Sequence, residues 1–471
     1  MKTKTQEEAP QQPQISPVDA LAQQIVSFGE KKLAEEVLTA LAQDASTFAE
    51  LASMTRSFAM VGAYEKAMEY GDKALTQNVD DQTMINMKAN MVNIYRRANH
   101  PEKALATILE YNLEKADVLF KIEKAGALYE VGKIADCQNI LESIDVEQLD
   151  EYNRAKVRRD LGNCYLWSGK FSDGYQRIVI HGSEVSTMES RGARQFHNRK
   201  ELQLPFWEGT PGCKKLIIYA EAGLGDEILN IRFMNLLRQR NIEAVWFGVW
   251  HKNAENNGRF GAMEVFKNSN FNVIDDLRQL PNIQEYMWTY SQYLPIYLGL
   301  DDEDLWFGPY LNAIKVNLPD NGKKKIGLRW AGNPVPEYRN YPLKKLHAAI
   351  GNIDAEFYSL QRDFGVEETS DFPGIIDLSK KLDSFVDTCN YIQSMDVIVT
   401  SCTSIAHAAA ALGKKTYVLI PMSAYYPWCH QGDKSPWYGD NVVELRQKKP
   451  RSWDEPLAEL KVLLQQEVTK G

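Results

Sequence analysis

Asp226 closes the segment Tyr219-Ala-Glu-Ala-Gly-Leu-Gly-Asp226, and far downstream Thr403, Ser404, Ile405 and Ala406 sit inside Thr400-Ser-Cys-Thr-Ser-Ile-Ala-His-Ala-Ala-Ala-Ala-Leu-Gly413. A carboxylate held in a turn can take a proton from a poor nucleophile such as a hydroxyl. General-base assistance of that kind is worth roughly 10²–10⁴-fold in rate. The second segment offers different chemistry. If it opens a helix, its first backbone N–H groups lack internal partners and favour an anion such as a phosphate. His407 stands four residues after Thr403 on the same helical face. It suits contact with that anion and packing equally. The plainer readings are an Asp that caps a helix and a Ser/Thr-capped helix laid on a sheet.

Other residues fit the same chemistry. Arg339, in Tyr338-Arg-Asn-Tyr-Pro342, is a loop cation able to offset charge on a diphosphate. Asn333 and Trp330 are placed to line the same cleft. Gln361 ends an apolar run, where its amide could read a base edge. Gly223 and Gly225 shape the first turn. Trp428, Trp437 and Tyr438 make a late aromatic cluster, read as packing or as a wall for a sugar. Asp302-Glu-Asp304 is read as a solvated turn, with no metal expected. No Walker A loop, HExxH or GxSxG occurs, and Gly-Leu-Gly at 223–225 is only a fragment of a dinucleotide fingerprint.

These residues need elements to hold them. Each of the two segments follows an apolar, β-rich run, Leu216-Ile-Ile-Tyr219 and Val397-Ile-Val-Thr400. Strand-like runs extend over Leu216–Glu221, Ala244–Trp250 and Phe271–Ile274, then Lys325–Ala331, Phe357–Gln361, Ile375–Leu378, Val397–Thr400 and Tyr417–Ile420. Helical stretches separate them. Such alternation predicts parallel α/β sheets, whose ligands bind beyond the strands' carboxyl ends. The polar stretch Lys315–Lys325 divides an expected first lobe, 213–315, from a second, 316–471.

Residues 1–16 are polar and are expected to form a disordered tail. From 17 to 185 the apolar spacing is helical throughout. Turn residues Gly29, Gly62, Asn99, Gly132 and Gly169 recur at spacings of 33, 37, 33 and 37. Each is followed five residues later by a small residue, Ala34, Ala67, Ala104, Cys137 or Gly174. Gly or Asn permits the left-handed backbone that ends a helix, and the small residue lets the next helix approach. Period and pattern resemble tetratricopeptide repeats, with a partner- or acceptor-docking face as one reading and a scaffold or dimer face as the other. Residues 186–212 are a connector.

The chain has 471 residues, a net charge of −9 and 44% hydrophobic content, which suits a soluble protein of several domains. The acidic balance argues against a general nucleic-acid binder. Six scattered cysteines form no CxxC pair and suggest a reducing, cytoplasmic compartment. Neither a signal peptide nor a membrane span is expected.

Several motifs occur in order: Leu204-Pro-Phe-Trp-Glu-Gly209, Glu221-Ala-Gly-Leu-Gly-Asp226, Gly327-Leu-Arg-Trp-Ala-Gly-Asn-Pro334, Tyr358-Ser-Leu-Gln361, Met395-Asp-Val-Ile-Val-Thr-Ser-Cys-Thr-Ser-Ile-Ala-His407 and Lys434-Ser-Pro-Trp-Tyr438. The set resembles tetratricopeptide-repeat glycosyltransferases of GT-B fold, related to the heptosyltransferases of glycosyltransferase family 9. The resemblance implies helical repeats followed by two Rossmann-like lobes. It implies an inverting, metal-independent transfer from a nucleotide-sugar, with no other cofactor. Asp226 would be the base, and Arg339, Gln361, Asn333 and residues 402–407 the donor side. The repeats would dock an acceptor protein or glycan, or mediate homo-oligomers. In one departure, Cys402 stands where the family has Asp near the sugar hydroxyls, and a thiol accepts hydrogen bonds weakly. An inactive interaction module, or another nucleotide-sugar enzyme such as an epimerase, therefore stays open.

Overall fold

The computed structural model describes residues 20–21, 24–26, 31–189, 203–248, 260–332 and 337–469. The expected tail over 1–16 lies outside the described residues, as do Asn333 and most of the connector. The chain forms two compact units, one ending at Leu128 and the other beginning at Tyr129.

The first unit is built from α1 (Lys31–Leu41), α2 (Phe48–Met60), α3 (Tyr64–Ala74), α4 (Asp81–Arg97), α5 (Pro101–Glu110), α6 (Leu113–Ala116) and most of α7 (Val118–Glu130). Its hairpins turn at Gly62 and Asn99, both with left-handed backbone (φ +75° and +59°). Ala34, Ala67 and Ala104 are fully buried at the helix crossings, in a core with Leu38, Phe58, Met91 and Ile108. Small side chains at these places let neighbouring helices close on one another, as the repeat spacing predicts.

The second unit opens with α8 (Ile134–Glu142), α9 (Glu151–Trp167) and α10 (Phe171–Glu189). The turns before α8 and α10 fall at Gly132 (φ +78°) and Gly169 (φ +74°). Where α9 crosses α10, a Cβ on Gly162 would lie 2.8 Å from the Gly174 carbonyl, so this pair packs backbone on backbone.

Two sheets follow. The first comprises β1 (Lys215–Tyr219), β2 (Glu243–Phe247), β3 (Val273–Ile274) and β4 (Met287–Tyr290) in the order β3-β2-β1-β4, all parallel. The second comprises β5 (Lys325–Arg329), β6 (Glu356–Ser359), β7 (Ile375–Asp377), β8 (Val397–Ser401), β9 (Lys415–Ile420), β10 (Lys434–Ser435) and β11 (Gly439–Arg446). Their order is β10-β11-β9-β8-β5-β6-β7, parallel apart from β10. Helices α11 (Leu224–Ile231), α12 (Phe233–Gln239), α13 (Ala262–Asn268) and α14 (Leu294–Leu298) belong to the first sheet's segment. Helices α15 (Leu343–Ile350), α16 (Phe385–Ser394), α17 (Ser404–Ala411) and α18 (Asp454–Thr469) belong to the second. The central strands are buried on both faces and largely apolar, as strands covered on both sides must be.

Three strands, β4, β10 and β11, went unanticipated. β4 is a four-residue aromatic run behind tight turns, and β11 begins Gly-Asp-Asn, a turn signature that its pairing with β9 overrides. β1 is also shorter than expected. It stops at Tyr219 because Ala222 takes a left-handed backbone (φ +63°) and Ala220–Glu221 already belong to the turn.

The topology places both motif turns. In the first sheet β1 lies between β2 and β4, and in the second β5 and β8 are neighbours whose following strands lie on opposite sides. Such reversals open a crevice at the strands' carboxyl ends. Glu221–Asp226 follow β1 and Ser401–Ala406 follow β8.

Candidate active site

The first turn runs from β1 through Gly223, the N-cap of α11, to Asp226 in that helix's first turn. Asp226 Oδ2 accepts the Gly223 N–H at 3.0 Å, so the carboxylate caps its own helix. Its Oδ1 accepts the Tyr426 hydroxyl at 2.7 Å and the Gln292 side-chain amide at 3.5 Å. Burial raises the Asp226 carboxyl above its usual range, against the lowering pull of the Tyr426 and Gly223 donors. Five residues earlier, Glu221 is buried and accepts the Gln292 backbone N–H at 3.1 Å. Burial pushes its carboxyl up to about 8, with the Asp226 charge adding to the rise. At neutral pH Glu221 therefore holds its proton.

The second turn carries no carboxylate. Thr403 is the N-cap of α17, and its hydroxyl makes no capping bond. It faces the Thr400 hydroxyl at 3.4 Å instead. The N–H groups of Ser404 and Ile405 have no intrahelical acceptor by position. Ile405 and Ala406 are buried against the sheet. Cys402 is buried too, and burial pushes its thiol up to about 11, with the Arg339 charge pulling the other way. Arg339 thus belongs to this turn's surroundings. The link is Gly332, after β5, where a Cβ would meet Thr403 Cγ2 at 2.6 Å and Arg339 Nη2 at 3.7 Å.

The two turns meet. A Cβ on Gly225 would stand 2.9 Å from His407 Cδ2 and 3.7 Å from Ser404 Cα, so the first turns of α11 and α17 lie on one another. Glycine at 225 is what permits the approach.

Other singled-out residues act as braces. His407 is buried, with Nδ1 2.7 Å from the Tyr438 hydroxyl and Nε2 2.6 Å from the Tyr425 hydroxyl. Its ring stacks on Trp428 at 5.4 Å. Burial, helped by the Arg232 charge, lowers its pKa to about 3, so it is neutral with both nitrogens engaged. Gln361 is fully buried. Its carbonyl accepts the Ala331 N–H at 3.2 Å and its amide donates to the Ala331 carbonyl at 3.0 Å. It ties the loop after β5 to the loop after β6 instead of presenting a free amide to a base. Trp330 is buried and bonded to Glu368 at 3.1 Å. Asp302–Asp304 form an exposed helical turn capped by Asp301.

Several contributors escaped the sequence. Tyr425 and Tyr426 follow β9, and their place at a parallel strand's carboxyl end was the available signal. Gln292 and Glu221 carried none beyond a similar place. Arg232 is fully buried and donates to the carbonyls of Leu229 (2.7 Å), Leu305 (3.2 Å) and Trp437 (2.5 Å) and to the Tyr310 hydroxyl (2.9 Å). It lies 4.7 Å from the Tyr438 ring, fixing Trp437 and Tyr438 against α11 and α12. Nothing local in the sequence marks it.

No family model matches the chain, and no curated protein matches it. Among solved structures, it is similar to nearly identical TPR-like repeats from Podospora anserina, with 14% identity over 37% of this chain and 95% of that one (TM-score 0.29). It is also similar to the E. coli heptosyltransferase WaaC solved with ADP-2-deoxy-2-fluoro heptose, with 11% identity over 54% of this chain and 99% of that one (TM-score 0.35). A third is TibC, an iron-containing dodecameric glycosyltransferase from enterotoxigenic E. coli, with 11% identity over 55% and 75% of the two chains (TM-score 0.36). By its own elements, the chain has tetratricopeptide-like helical repeats followed by a GT-B-like pair of Rossmann-like sheets, the class expected from its sequence.

Proposed function

We propose that the protein is a glycosyltransferase that moves a sugar from a nucleotide-sugar donor to an acceptor hydroxyl. The observation that carries this reading is the contact of α11 on α17, which brings a carboxylate and an uncapped helix N-terminus to one place. The donor diphosphate would lie on the N–H groups of Ser404 and Ile405, with Arg339 beside it. The acceptor would lie against the first sheet. Asp226 takes the acceptor's proton as its oxygen attacks the anomeric carbon, and the nucleoside diphosphate leaves from the opposite side. Direct displacement inverts that carbon. The α17 dipole and Arg339 offset charge on the leaving group, so no metal is required by this scheme.

The test is a thermal-shift series with ADP, UDP, GDP, CMP and dTDP and their sugar conjugates. A ligand at 100 times its Kd stabilises the native state by about 2.7 kcal/mol. A selective shift that disappears in Arg339→Ala supports the donor site, and no shift with any nucleotide removes it.

Cys402 favours a second reading. A buried neutral thiol stands where the family it resembles has a carboxylate, which fits a protein that keeps the architecture for interaction alone. That reading requires the wild-type chain to show neither donor-dependent turnover nor a nucleotide-dependent thermal shift.

A further inference from the structure

The last repeat hairpin reaches the candidate base. Tyr175 sits on α10, is buried, and donates its hydroxyl to the Gln292 carbonyl at 3.0 Å. Gln292 is a hub. Its N–H goes to Glu221 (3.1 Å) and its side-chain amide to Asp226 (3.5 Å). The Tyr175 ring meets Tyr426 edge-on at 5.6 Å, and Tyr426 donates to Asp226 at 2.7 Å. Phe171 and Trp437 close the ring's other sides at 5.3 and 5.8 Å. Two separate routes thus run from one repeat residue to the same carboxylate.

We propose that Tyr175 is a positioning residue that holds Asp226 and Glu221 in place through Gln292 and Tyr426, which makes the final repeat hairpin part of the catalytic apparatus. The assignment of Asp226 as base rests on the function proposed above, while the coupling of Tyr175 to the two carboxyls does not. The groups facing this pair are Tyr175, Tyr293, Tyr425, Tyr426 and Glu227. Tyr175 is the one among them contributed by the repeats. A repeat region that only docked a partner would have no need of a buried hydroxyl aimed at the Gln292 turn.

Tyr175→Phe tests the assignment, because it keeps the ring in its aromatic nest and deletes the hydroxyl. Two readouts are taken on the full chain. The first needs no substrate: melting temperature from pH 5 to 9. Loosening Gln292 weakens its N–H bond to the Glu221 carboxylate, so the decline of stability with rising pH should extend about half a unit further up before it levels off. The second is hydrolysis of whichever nucleotide-sugar binds, with water as acceptor. Its kcat should fall about tenfold and KM change by less than about twofold, with the acid limb of the pH profile displaced. A pH curve parallel to wild type, or unaltered turnover beside an inactive Asp226→Asn, overturns the assignment and leaves the glycosyltransferase reading intact. If wild type consumes no donor, that reading fails, and the stability curve alone decides on Tyr175: displaced supports the coupling, parallel ends it.

Discussion

The turns after β1 and β8 are the same element built twice, a buried parallel strand, a short loop and an eight-residue helix. Their chemistry is opposite. In the first, Asp226 accepts the Gly223 N–H, so a carboxylate is held in a defined pose at the helix N-terminus. In the second, Thr403 leaves its helix uncapped, and Arg339 lies close by. Under the proposed function, one side chain in the first helical turn decides whether such an end presents a base or accepts an anion. The pairing also explains why neither turn would suffice alone. A base without a leaving-group site, or an anion site without a base, catalyses no displacement.

Asp226→Asn should break the comparison most severely, since it removes the proposed base. We expect donor-dependent turnover to fall roughly 10²–10⁴-fold while the nucleotide thermal shift persists. Full turnover in a folded variant would show that the proton goes elsewhere. Arg339→Ala should weaken nucleoside diphosphate binding about ten- to a hundredfold, the worth of one or two charge-assisted hydrogen bonds. Titration calorimetry measures it, and unchanged affinity would take Arg339 out of the anion site.

Gly225→Ala tests whether the turns must touch. Its Cβ would stand 2.9 Å from His407, which Tyr425 and Tyr438 hold fast. A loss of about 1–3 kcal/mol in denaturant unfolding is expected, and a neutral outcome would mean that His407 can yield. The carboxyls give a pH signature. With Glu221 raised from an ordinary 4.5 to about 8, the native state holds a proton that the unfolded chain has released across that window. Stability from this group is fully present below pH 4.5 and is lost as pH rises through 8, with a slope of at most about 1.4 kcal/mol per pH unit. Glu221→Gln should flatten that slope, and an identical slope would show that Glu221 titrates normally. Cys402→Ser should do least. The thiol is already neutral, so donor affinity should change by less than about threefold, and a larger loss in calorimetry would give the sulfur a direct role.

The sequence by itself determined the helical repeats, the alternating strands and the location of both turns. These follow from local physics. Left-handed backbone is carried by Gly62, Asn99, Gly132 and Gly169 at their own positions, and an apolar run such as Val397–Ser401 suits a strand covered on both faces. The family resemblance, not any local pattern, put Arg339 and Cys402 on one donor side. Only tertiary structure decided how the residues are used. Gln361 and His407 read as ligand contacts, yet their polar atoms are engaged by Ala331 and by Tyr425 and Tyr438. Arg232 and Tyr175 read as nothing in particular, yet both are buried at junctions with Trp437. The reason is separation along the chain. Turn conformation and strand burial are encoded within a few residues. The partner of a buried polar atom, and the desolvation that lifts Glu221 and Asp226, come from segments tens to hundreds of residues away, whose arrival no local pattern records.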